Sequence, residues 1–91
     1  MYFDVQRFSE EDIPKQSVKS LKKGIRSLMM VVEKHKAKIL NPELFYPEWN
    51  ALSEKTQLGN IKHWRKEIDT ANQSIFDRIE ELRKRGVKID E

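Results

Sequence analysis

The stretch Val18-Lys-Ser-Leu21-Lys-Lys-Gly-Ile25-Arg-Ser-Leu28-Met-Met-Val-Val32-Glu-Lys-His35-Lys-Ala-Lys-Ile39 decides the fold. Val18, Leu21, Ile25, Leu28, Val32, His35 and Ile39 are spaced alternately by three and four residues. This a/d stripe marks a helix that packs on another helix, as in a coiled coil. The pattern predicts a helix from about Pro14 to Leu40. Gly24 is its weak point, costing about 1 kcal/mol relative to Ala in a helix interior. Asn41-Pro42 is the expected stop, because Asn tolerates a left-handed cap and Pro cannot continue the helix. Lys34, Lys36 and Lys38 lie in the last turns, where the helix dipole favours cations.

Outward from this stretch, a second pattern runs from about Ser53 to Arg85. Ile61, Trp64, Ile68, Ala71, Ile75 and Leu82 keep the same alternation, and Phe76 and Ile79 widen the face. Glu80 with Lys84 and Glu81 with Arg85 are favourably oriented i,i+4 pairs. Gly86 ends the helix, with Val87 placed for the apolar contact of a Schellman motif. Leu58-Gly59-Asn60 is a weak segment where a bend is expected. Asn72 falls inside the stripe, either as a solvated edge residue or as a buried polar group that fixes register.

Between the two patterns lies Asn41-Pro-Glu-Leu-Phe45-Tyr46-Pro-Glu-Trp49-Asn50. Four of the eight aromatic residues (Phe45, Tyr46, Trp49 and Trp64) fall between positions 45 and 64. They either close one end of a helical pair or form a partner-binding hot spot, since buried Trp and Tyr anchors dominate interface energies. A linker of about twelve residues suits antiparallel helices. The fold expected is all-α: an antiparallel two-helix hairpin with an aromatic connecting loop. Its seam is Leu21, Ile25, Leu28 and Val32 against Ile68, Ile75, Ile79 and Leu82. Residues 14–91 form the hairpin domain, and residues 1–13 an acidic leader.

At 91 residues the chain holds one small domain. It contains no cysteine, so its core has no disulfide staples and must be built from long amphipathic elements or borrowed surface. A third layer comes either from leader residues Phe3, Val5, Phe8 and Ile13 or from a second copy, giving a four-helix bundle. Neither a secretory signal nor an apolar run of membrane-spanning length is visible.

The net charge of +3 is unevenly placed. Residues 1–14 sum to −3 and residues 15–40 to +7. Lys15, Lys19, Lys22 and Arg26 recur on one helical face away from the seam. Such a stripe is a solvated face, a site for an acidic protein partner, or a phosphate-binding surface whose affinity falls with salt. No recognised nucleic-acid-binding module supports the last. Membrane association has no bulky aromatic insertion face to support it.

Catalytic equipment is sparse. The chain has no phosphate-cradling glycine loop, nucleophile elbow or His-Glu-x-x-His motif. The one enzyme-like hint is His35 and His63, which an antiparallel hairpin brings toward one another, with Glu67 a turn from His63. Solvated or hydrogen-bonded histidines are the expectation, with no catalytic residue, metal or cofactor.

The opening Tyr2-Phe3-Asp4-Val5-Gln6-Arg7-Phe8-Ser9-Glu10-Glu11-Asp12 resembles the short leader of many structural-operon proteins of phages and prophages in Gram-positive bacteria. Ser20-Leu21-Lys22-Lys23-Gly24-Ile25-Arg26-Ser27-Leu28, His35-Lys36-Ala37-Lys38-Ile39 with Asn41-Pro42-Glu43, and Gly59-Asn60-Ile61-Lys62-His63-Trp64-Arg65-Lys66-Glu67-Ile68 resemble small prophage-encoded helical proteins of uncharacterised function. The resemblance implies a phage-encoded protein in the bacterial host cytoplasm or on the virion. It supplies no reaction and no functional residues. The function expected is a non-enzymatic protein–protein interaction module, either a structural or assembly accessory or an inhibitor of a host defence protein. Its partner is a phage or host protein, with a homodimer as a further possibility. The alternative is a nucleic-acid-binding accessory protein that uses the basic stripe.

Overall fold

The computed structural model describes residues 13–88. Among them all regular structure is helical: a 3₁₀ turn at Ile13–Lys15, α1 (Val18–Leu40), α2 (Pro42–Phe45), a second 3₁₀ turn at Trp49–Ala51 and α3 (Glu54–Lys84). The fold is all-α. No helix among the described residues is long and apolar enough to cross a membrane. Of the acidic leader, only Ile13 falls within the described residues.

Local chemistry explains each helix end. Ser17 Oγ accepts the Ser20 amide at 3.0 Å, and Ser53 Oγ accepts the Thr56 amide at 3.2 Å. Each cap satisfies a donor that has no partner within its helix. The Ser17 cap places the start of α1 later than Pro14, which belongs to the 3₁₀ turn instead. Asn41 differs from the expected left-handed cap, with φ −137° and its N–H on the Ala37 carbonyl at 3.0 Å. Pro42 supplies the stop and opens α2, where its missing N–H costs nothing. No break occurs at Leu58-Gly59-Asn60, because one unfavourable glycine is outweighed within a 31-residue helix. At the far end Gly86 takes φ +76°. Its N–H reaches the Arg83 carbonyl and that of Val87 the Leu82 carbonyl, both at 3.0 Å. These bonds form the Schellman pattern read from the sequence.

The two long helices pack along one another in opposite order. Leu21 and Ile25, early in α1, cluster with Leu82, late in α3, and Ile13 joins them. Leu28 and Val32 cluster with Ala71 midway. Lys38, near the end of α1, lies over Trp64, early in α3. Ile68, Ile75 and Ile79 are half-buried flankers of these clusters. The Cα envelope measures 50 × 25 × 17 Å. Arg85 ties the first 3₁₀ turn to α3: its Nη2 donates to the Pro14 carbonyl at 3.0 Å, and its Nε to Glu81 at 2.9 Å.

Candidate functional site

The aromatic connection is a stack. Trp64 of α3 lies 5.8 Å from Tyr46 at 12° between planes, and 5.6 Å from Trp49 at 26°. Trp64 and Trp49 are 5% and 6% exposed. Gln57 holds the second 3₁₀ turn by donating to the Trp49 carbonyl at 2.8 Å. The Lys38 ammonium sits 5.9 Å from both the Tyr46 and Trp64 rings, within range of a cation–π attraction. Of the four aromatic candidates, Trp49 and Trp64 are thus buried and Tyr46 is half-buried, while Phe45 is exposed beside Leu44.

Of the expected basic stripe, Lys19, Lys22 and Arg26 lie on α1, whereas Lys15 belongs to the first 3₁₀ turn and not to the same helix. Lys15, Lys19 and Arg26 are exposed, and Lys22 is half-buried. Its inner members border a groove of about 860 Å³ between α1 and α3. Lys22, Arg26, Met29, Glu33 and Lys36 line the α1 side, and Asn72, Ile75 and Ile79 the α3 side, with Ile25 and Val32 also contributing. Met29 is 54% exposed. Asn72 is exposed on the rim, which favours the solvated-edge reading. Lys36 and Glu33 approach to 4.0 Å with both side chains mostly in water, an arrangement that contributes little stability. Met29 and Lys36 were absent from the candidates drawn from sequence, although positions 22, 26, 29, 33 and 36 repeat the three-and-four spacing one residue beyond the seam.

The histidines are each engaged on their own helix. His35 Nδ1 meets the Val31 carbonyl at 2.9 Å, one turn back. His63 Nε2 lies 3.8 Å from Glu67, one turn on, with the imidazole largely exposed. Among the described residues no group of three or more His, Asp or Glu side chains is placed to hold a metal ion.

A residue that the apolar pattern did not single out faces Gly24 between the two long helices. Arg78 is 3% exposed. Its Nη1 donates to the Ser74 carbonyl at 3.0 Å and to the Ser74 hydroxyl. Ser74 is fully buried beside it. Charged residues are rarely this deep unless hydrogen-bonded. Gly24 makes the room for it on α1.

Compared with protein-family models, with curated proteins and with solved structures, the chain matches none.

Proposed function

We propose that this protein is a non-enzymatic protein–protein interaction module of phage type: an antiparallel two-helix hairpin with an aromatic connecting loop that presents one face to a partner. A single observation carries the reading. The helical pair leaves Met29, 54% exposed, together with the half-buried Ile75 and Ile79 in a groove bordered by Lys22, Arg26 and Lys36. Exposed apolar residues scattered singly need no explanation, but adjoining ones rimmed by polar groups mark interaction sites. The partner is a phage assembly component or a host defence protein, met in the bacterial cytoplasm or on the virion. A second copy covers the same side chains in a four-helix bundle, but the seven cations of α1 against its one carboxylate weigh against that arrangement.

Exposure of Lys15, Lys19 and Arg26 favours a second reading, nucleic-acid binding. One experiment separates the two. The tagged full-length chain is recovered from phage-infected bacteria, and the bound material is washed at about 0.5 M salt, where surface attraction is screened within a few ångströms. A protein that remains, and that rebinds when purified, supports the module. Nucleic acid that leaves with salt, and is lost when Lys15, Lys19, Lys22 and Arg26 are changed to Glu, overturns it.

A further inference from the structure

The groove between α1 and α3 has an apolar floor and a charged rim of uneven sign. Buried Ile25 and Val32 with half-buried Ile75 and Ile79 form the floor, and the exposed Met29 is a further lining residue. On the α1 rim stand Lys22, Arg26 and Lys36 against the single carboxylate of Glu33. From Lys22 to Lys36 the rim runs about 21 Å at 1.5 Å per residue, four helical turns. The rim positions keep three-and-four spacing, so they stay aligned along the whole groove. A helix laid there completes a third side of the core with the packing α1 and α3 already use.

We infer that this groove receives an acidic amphipathic helix of a partner protein, its apolar stripe on the Ile25–Ile79 floor and its carboxylates facing Lys22, Arg26 and Lys36. The inference rests on the interaction-module reading and names its site and partner chemistry. Charge complementarity selects the occupant. A second copy brings another α1 rich in cations, and like charges across an interface suppress pairing. A nucleic-acid backbone satisfies the cations but leaves the apolar floor in water. An acidic helix satisfies both the floor and the rim.

The test uses the full-length chain to select from a displayed library of helical peptides about 18 residues long, which span the groove. Binding of the selected peptides is then measured on Met29→Glu. Met29 is exposed, so this variant keeps the fold, checked by circular dichroism and melting temperature. The expected winners carry apolar residues at three-and-four spacing and a net negative charge. Their affinity falls about tenfold or more in Met29→Glu and in the triple variant Lys22→Glu, Arg26→Glu, Lys36→Glu, as for anchor positions. No enrichment, enrichment of neutral or basic peptides, or equal binding to Met29→Glu overturns the inference. So does a dimer in light scattering that Met29→Glu splits, since the groove then belongs to a second copy. A host or phage partner that binds Met29→Glu undiminished overturns the groove while leaving the module reading intact. Salt-labile nucleic acid in place of a protein partner overturns the module reading.

Discussion

Gly24 and Arg78 share one space. A Cβ on Gly24 would lie 2.9 Å from Nε of Arg78, closer than real Cβ atoms approach, and 3.4 Å from its Cδ. The absent side chain on α1 is what admits the buried guanidinium of α3. Gly24→Ala therefore sets two effects against each other. Alanine gains about 1 kcal/mol of helix propensity. Displacing Arg78 from Ser74 forfeits charge-assisted hydrogen bonds worth about 1.5–3 kcal/mol each. The expected net is a loss of about 1 kcal/mol or more. Gly59→Ala is the control, because a Cβ there meets nothing within 4 Å. It is expected to gain about 0.5–1 kcal/mol. Melting temperatures that shift in opposite directions meet the expectation, and two increases refute it.

Arg78 itself contributes volume as well as charge. Arg78→Ala leaves a cavity beside Ser74 and is expected to cost about 2–4 kcal/mol in urea unfolding. Arg78→Met retains most of the volume without a buried charge and is expected to cost much less, since well-packed apolar replacements of buried ions are often neutral. Equal losses in the two variants mean that the hydrogen bonds, rather than packing, hold this site.

The aromatic connection divides into buried and exposed members. Trp64→Ala removes the middle ring of the stack and is expected to cost about 3–5 kcal/mol. Phe45→Ala is expected to stay within about 0.5 kcal/mol, as at other exposed positions. Thermal unfolding of both variants decides. A large loss in Phe45→Ala shows that this ring belongs to the fold.

The ends of α3 are set by single residues. Gly86→Ala forces a Cβ into the left-handed region and is expected to cost about 1–2 kcal/mol. Ser53→Ala removes the cap on the Thr56 amide and is expected to cost about 1 kcal/mol. Helicity that survives unchanged with no fall in melting temperature contradicts both assignments.

Period-bearing features were legible in the sequence. The stripe from Leu21 to Val32 predicts its own burial, because an amphipathic helix has one way to hide it. Gly86-Val87 is equally legible, since few residues tolerate a positive φ. The cap at Ser17 is harder to read than that at Ser53, where the second pattern already begins. Ser17 sits among residues that also fit helix, so spacing alone extends α1 back to Pro14, whereas the helix starts at Val18. Arg78 was missed because a buried cation violates the pattern that finds buried residues. Its position depends on Gly24, 54 residues away in sequence, and no local spacing records that pairing. Met29 and Lys36 carry a signal beside the stronger one of the seam, and they gain meaning once α3 supplies the opposite wall.

The opposite order of the two long helices also sets how the chain gets there. Tyr46 and Trp64 are eighteen positions apart, whereas Leu21 and Leu82 are sixty-one. Loop-closure entropy rises with separation, by about 1 kcal/mol between these two cases. Contacts therefore form most cheaply at the aromatic end and advance pair by pair, each shortening the loop the next must close, a low-barrier route typical of fast-folding helical proteins. The same ladder read backwards makes the end holding Leu82 and Val87 the first to open, and amide exchange there outpaces exchange around Trp64.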